Sequence, residues 1–407
     1  MSSSSTQRIS LPFGETARVD LDVDSDQLAL FVEPPAAVTD VMTEIRSALE
    51  NPVDFPPLTQ AVIPDDRVAL AVCATTPQKE AIIAAVWEQL DQREIQPENV
   101  TIVCQSRTDP RTLLPGRVAT TVNWVVHDPD DANRCGYLAS SSGGERIYLA
   151  RELLDADVVV PIGPIGFDPL LGFCGTNSAL YPDLSNREAI DGARGQGHSE
   201  LDPENVRPLR QLIDEISWLL GSQFTIQTVG NSRNQFSHLL AGATEAVFRE
   251  GKRLLSSGWT VEVEERVDMV IAAVDSAAGP RDWNDLGMAI AAASRIVARE
   301  GRIVILSDAA SAGDTGVEML RRCEEASDVL KPLRLEIPTD VIPVTQLVTA
   351  LNKARIYLLS QHDEDFVEDL FMTPLSEAVE VTRLLKSETG SVAVIGSAQN
   401  VFSRLSD

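Results

Sequence analysis

Arg67-Val68-Ala69-Leu70-Ala71-Val72-Cys73, followed by Ala74-Thr75-Thr76-Pro77, is the stretch that decides the fold class. It is an unbroken apolar run with no polar alternation, so a strand made from it must be covered on both faces. That is the pattern of a central strand in a parallel sheet. Working outward, a helix is expected from about Pro77, with Ile82, Ile83, Val86, Trp87 and Leu90 on one face. Further strands are read at Asn99–Cys104, Val122–Val126 and Asp157–Pro161, and another at Phe224–Val229 ahead of a helix at Leu239–Leu255. A second series starts with strands Val267–Val274 and Arg302–Leu306 around a helix at Asn284–Arg299, and continues with strands Arg355–Leu359 and Ser391–Ile395. The reading is two α/β domains with mainly parallel sheets and an interdomain cleft as the ligand site. Residues 1–10 read as a disordered tail, 11–260 as the N-terminal domain and 261–407 as the C-terminal domain, with the boundary near Ser257–Val267.

Composition narrows the function. The chain has 407 residues, 61 acidic against 34 basic side chains and a net charge of −27. Such a surface repels phosphate backbones, so nucleic acid is not an expected partner. No apolar run is long enough to span a bilayer, and the polar start lacks the apolar core of a signal peptide. The cysteines, Cys73, Cys104, Cys135, Cys174 and Cys323, never fall in a CxxC spacing. They suit a reducing, cytoplasmic setting without a disulfide framework or structural zinc. The histidines are His127, His198, His238 and His362, none with a partner four residues on, which excludes an HExxH helix. His127 is read as ordering a turn with Asp128, and His238 and His362 as surface residues.

Open parallel sheets bind ligands at the carboxyl ends of their strands. After the first strand, Thr75 and Thr76 precede Pro77; Thr76 reads as the cap of a helix, whose free amides could also hold an anion. After the second come Gln105-Ser106-Arg107-Thr108-Asp109-Pro110, where Arg107 is either an anion clamp or a surface arginine. After the strand Asp157–Pro161 comes Gly163-Pro164-Ile165-Gly166-Phe167-Asp168-Pro169-Leu170-Leu171-Gly172-Phe173-Cys174-Gly175-Thr176-Asn177-Ser178. Its glycines imply unusual backbone angles or close approach, in an apolar loop or in a ligand cradle. Gly172, Gly175, Asn177 and Ser178 are candidate ligand contacts there. Asp282 and Asn284, at the head of a later helix, read as caps first and ligand contacts second.

The order of these features resembles the nickel-pincer lactate racemase family over roughly residues 10 to 400. Leu11-Pro12-Phe13-Gly14 is followed by Ala48-Leu49-Glu50-Asn51-Pro52, the Thr-x-Pro loop, His127-Asp128 and Asp155-Ala156-Asp157. Gly172-Phe173-Cys174-Gly175 resembles the family's GFSGG loop, with Pro182 at its later proline. Ala241-Gly242 and Gly279-Pro280-Arg281-Asp282-Trp283-Asn284 match in order and spacing. The resemblance implies a two-domain fold and a pyridinium-based pincer carrying nickel through carbon and sulfur. It also implies a histidine ligand, a lysine tethered through a thioamide and two histidines that move the hydroxyl proton while hydride visits the cofactor. Arginine, glutamine and lysine would hold the substrate carboxylate and the cofactor.

Carried over residue by residue, that set is not kept. The family's DHTRP corresponds to Cys73–Pro77, with Thr76 at the arginine; its GFHRP corresponds to Ser106–Pro110, with Thr108 at a catalytic histidine. The second catalytic histidine falls on Asp168 and the tethering lysine on Ser178. The glutamine and lysine of the second domain fall on Gly287 and Ile290. The ligand histidine falls near Arg194 by direct count, or on His198 if about four residues are inserted. Serine cannot form the thioamide, and threonine is too weak a base to replace imidazole. Asp168 could act as a base only if burial raised its pKa. The expectation is a diverged lactate racemase-like protein without pincer-dependent activity, with no cofactor and a small anionic ligand. The alternatives are an active isomerase of a 2-hydroxy acid using Asp168, Arg107 and His198, and a non-catalytic partner of an intact paralogue in a hetero-oligomer.

Overall fold

The computed structural model describes residues 5–14, 16–195, 207–232, 234–275, 282–308 and 313–406. The chain separates into two compact units. One combines residues up to Pro35 with those from Ser256 onward; the other lies between Ala36 and Leu255. The first 35 residues therefore belong with the end of the chain, not with the domain that follows them.

The expected tail is a strand. β1 (Thr6–Phe13) pairs antiparallel with β2 (Ala17–Asp24), Thr6 opposite Asp24 and Phe13 opposite Ala17. Ile9, Leu11, Val19, Leu21 and Val23 are all buried, so the hairpin alternates apolar-in and polar-out. Polar residues at the start of β1 masked this period. β3 (Leu28–Val32) follows in the same unit.

The unit between Ala36 and Leu255 is built on β4 (Val68–Val72), every residue of which is buried. β5 (Val100–Cys104) and β6 (Asn123–Val126) extend the sheet on one side. β7 (Cys135–Ser140) and β8 (Arg146–Ala150) form a separate hairpin. On the other side of β4 lies β9 (Val158–Asp168), an 11-residue strand. The stretch expected as a loop from Gly163 is thus mostly strand. β10 (Gly172–Cys174) folds back antiparallel onto it, Gly172 opposite Asp168. β11 (Phe224–Gly230) runs parallel to β9, and β12 (Phe236–Ala243) closes the sheet antiparallel. Leu239–Ala243 is therefore strand and not the start of the expected helix, which runs Thr244–Trp259. The order is β12-β11-β9-β4-β5-β6, with β10 attached to β9. The Lys79–Asp91 helix covers one face with Ile82, Ile83, Val86, Trp87 and Leu90 buried. The opposite face receives the Pro208–Leu220 helix through Leu209, Ile213 and Ile216.

In the other unit β13 (Thr260–Val263) pairs with β19 (Phe402–Leu405). The main sheet contains β14 (Val267–Ala273), β15 (Val297–Leu306), β16 (Arg355–Leu359), β17 (Thr373–Leu375) and β18 (Val392–Ile395). Its order is β17-β16-β15-β14-β18-β3, and all of these pairs are parallel. The β1–β2 hairpin packs on one face, against Met269, Ile271, Val304 and Val394. The Trp283–Ile296 helix ends earlier than expected, because Val297 already pairs with Val267.

Two outcomes test the placement of the N-terminal strands. Leu21→Ala, at a position with no exposure, lowers stability by about 2–5 kcal/mol. Removal of residues 2–10 lowers the melting temperature of the whole chain; a tail would be lost without effect. Both are read by thermal and denaturant unfolding.

Candidate functional site

β4 ends at a loop whose side chains turn inward. Thr76 does not cap the following helix: its hydroxyl donates to the carbonyl of Cys73 at 2.8 Å and lies 3.3 Å from that of Ile162. The helix starts at Lys79, after Gln78 in the left-handed region, so Thr76 ties the end of β4 to β9 instead. Thr75 remains exposed with its hydroxyl 3.3 Å from the Cys73 thiol.

The β9–β10 hairpin holds Asp168. Its Oδ1 accepts from the amides of Leu170 at 2.7 Å and Leu171 at 2.8 Å, which fixes the turn. Gly172 follows with φ of +77°, a backbone state that glycine tolerates. Gly175 is required for space: a Cβ there would stand 2.9 Å from the Phe248 ring. The amide of Gly175 donates to the Ser178 hydroxyl at 3.4 Å. Asn177 is buried, donating to Asp214 at 2.9 Å and accepting from Ser217 at 3.0 Å. Arg210 grips Asp214 at 2.6 Å and stacks 3.9 Å from the centre of Phe248.

These loops meet around a pair of carboxyls. The side chain of Gln105, at the end of β5, donates to the carbonyl of Asp183. Among the described residues, the Asp183 carboxyl accepts no hydrogen bond. Burial first, then the neighbouring Asp168, pushes its pKa up to about 7. Burial also raises Asp168, opposed by the two amides and by Arg207 and Arg210. Both aspartates keep part of their surface accessible, so the surroundings are a recess dense enough to weaken hydration without sealing it. The Cys73 thiol is raised by burial and by Asp183, and the Cys174 thiol by burial and by Asp168. Neither is a ready nucleophile.

Not every residue singled out from sequence joins this group. Arg107 and Thr108 are exposed, with the amide of Thr108 bonded to the Ser106 hydroxyl at 3.1 Å. Asp282 and Asn284 belong to the other unit, where Asp282 caps the Trp283–Ile296 helix through the amides of Asn284 and Asp285. His198 lies outside the described residues. His127 does not order a turn with Asp128; its buried ring lies 2.7 Å from the carbonyl of Ser185. His238 is exposed, and His362 is half-buried against Phe366. The residues that sequence reasoning missed are Asp183, Gln105, Arg207, Arg210 and the two thiols. Only Asp183 carried a signal, its place directly after Pro182.

A pH measurement tests the carboxyl pair. Asp183 is held above the ordinary carboxylate range, so the folded chain binds more protons than the unfolded one between about pH 4 and 7. Stability is then lost as pH rises through that window. Asp183→Asn removes this contribution and gains on the order of 1–3 kcal/mol at pH 8, with little gain at pH 4. An equal effect at both pH values would contradict the assignment.

The geometry can be set beside known proteins. Residues 13–199 match the lactate racemase N-terminal domain family. A lactate racemase of Thermoanaerobacterium thermosaccharolyticum is 20% identical over 97% of this chain and 99% of its own length. The apoprotein structure of lactate racemase from the same organism superposes with a TM-score of 0.81 at 17% identity, covering 98% of this chain and 100% of that one. A crystal structure of a Thermotoga maritima protein aligns with a TM-score of 0.65 at 13% identity, over 90% of this chain and 98% of that one. One family model covers the strands that carry Thr76 and Asp168, and one relative aligns from end to end, so residues 13–199 resemble the lactate racemase N-terminal domain and the whole chain shares the lactate racemase fold.

Proposed function

We propose that this protein is a lactate racemase-like scaffold that no longer performs pincer-dependent racemisation and that holds a small anionic molecule in the recess around Asp168 and Asp183. One observation supports this most directly. The side chains at the positions resembling the family's reactive ones are engaged by nearby backbone. Thr76 bonds the carbonyl of Cys73, Asp168 the amides of Leu170 and Leu171, and Ser178 the amide of Gly175. These are the interactions of residues that shape loops.

The donor chemistry does not suit a nickel-pincer group. Ser178 offers no amine for a thioamide, and Thr108 and Asp168 stand where the resemblance implies imidazoles. The lysine that approaches the loop, Lys252, comes from the Thr244–Trp259 helix, and its amine stands 4.7 Å from the centre of the Phe173 ring. Purification from a host that makes the cofactor tests this: nickel far below one ion per chain is expected, and stoichiometric nickel-pincer would overturn the reading.

An anion fits the recess only when the carboxyl pair carries a proton, since a protonated carboxyl donates where a carboxylate repels. The guanidinium groups of Arg207 and Arg210 already act on Asp168 from one side. Lactate, titrated calorimetrically, is therefore expected to bind more weakly as pH rises past 7, by up to about tenfold per pH unit. Affinity that is flat from pH 5.5 to 8.5 would remove the carboxyl pair from the site.

A second reading is favoured by the same raised pKa. A carboxyl titrating near neutrality is matched to general-base work on a 2-hydroxy acid. Deuterium exchange at the α-carbon of lactate, abolished in Asp168→Asn and Asp183→Asn, would support it; no exchange returns the first reading.

A further inference from the structure

The charge of this protein is arranged in a way that the recess does not explain. The outward face of β2 carries Arg18 and then three aspartates in a row: Asp20 and Asp22 are exposed and Asp24 half-exposed, while Val19, Leu21 and Val23 point inward. Alternate residues on a strand stand roughly 7 Å apart. Opposite them lie Ser10, Arg8 and Thr6; Arg8 pairs with Asp20 at 2.9 Å and Arg18 is bonded to Ser10, which leaves Asp22 and Asp24 without an ion pair among the described residues. Asp363, Glu364, Asp365, Glu368 and Asp369 are all exposed along one short helix and its flanks, with Arg321 bonded to Asp369 at 2.9 Å and shared with Glu318. Glu262, Glu264, Glu265 and Asp268 form a third exposed group, paired through Glu262 to Arg404.

Lysine, the residue that would neutralise such a surface, is scarce. The lysines are Lys79, Lys252, Lys331, Lys353 and Lys386. Lys79 donates to the carbonyl of Ala74 at 3.1 Å, Lys252 lies over aromatic rings, and Lys353 donates to the carbonyl of Ser294. Among the described acidic residues Asp275 and Asp340 are buried, and Asp168 and Asp183 are half-buried with desolvated carboxyls. The net charge of −27 is thus almost wholly at the surface.

From this arrangement we infer that the folded state depends on a concentrated monovalent salt, with hydrated alkali-metal cations serving as the counter-charge that the chain itself lacks. The spacing supplies the reason. Repulsion across about 7 Å lies inside the screening length of about 10 Å at 0.1 M and outside that of about 3 Å at 1 M. Self-repulsion of a high net charge acts against the compact state and is relieved as screening rises.

Thermal unfolding of the full chain in KCl from about 0.1 to 3 M tests this. The expected result is a melting temperature that climbs by roughly 10 °C or more across the series. A flat or falling melting temperature overturns the inference. A general solute effect is separated in two ways. Sucrose at matched osmolality is expected to give a much smaller rise; an equal rise overturns it. A variant carrying Asp22→Asn, Glu264→Gln, Glu265→Gln, Asp365→Asn and Glu368→Gln is expected to melt higher than the parent at low salt and to respond less steeply to KCl. An unchanged slope assigns the effect elsewhere and overturns the proposal.

Discussion

The pairing of β9 between β4 and β11 is the constraint on which the candidate site depends. Val158–Ile162 match Val68–Val72 of β4, and Ile162–Ile165 match Ile226–Val229 of β11. A buried backbone must satisfy its polar groups, so each half of the strand is fixed by a different neighbour. The remaining residues have one course left, a turn at Asp168 and a return as β10. The position of that carboxyl is thus set by ladder hydrogen bonds that begin ten residues earlier, at Val158.

The elements legible in the sequence were those with an unbroken apolar run. β4, β5, β14, β16 and β18 all lie in stretches whose composition alone requires burial. β9 was legible only to Pro161, because Gly163, Pro164 and Gly166 carry the composition of a loop. Gly163 is accommodated because it packs against Cys73 and Thr176. β12 was hidden because its buried residues, Leu239 and Ala241, run straight into the apolar face of the next helix. β1 was hidden because its partner had to be known before Ile9 and Leu11 made sense as one face.

The site was legible to the same partial degree. The ends of β4 and β9 follow from a general rule about parallel sheets, and they do bring Thr75, Thr76 and Asp168 to one end of the sheet. The pairing of Asp168 with Asp183 does not follow from any local pattern, since it depends on where the chain passes after the hairpin. The shared fold fixes the frame, but chemistry resides in particular side chains. Thr76, Asp168 and Ser178 answer to backbone groups, whereas Asp183 answers first to burial and then to another acid.

The placement of β3 has a consequence for how the protein is made. Phe31 in β3 pairs with Val394 in β18, 363 residues later by subtraction. At ribosomal speeds of 5–20 residues per second, roughly 20–70 s separate the emergence of the two strands. The unit between Ala36 and Leu255 emerges whole during that interval and has every strand of its sheet in hand. The amphipathic β1–β2 ribbon, by contrast, emerges first and must wait for the surface it will cover. During biosynthesis this protein therefore carries an early apolar segment whose docking surface is translated near the end, so its apolar face stays exposed to water for that interval.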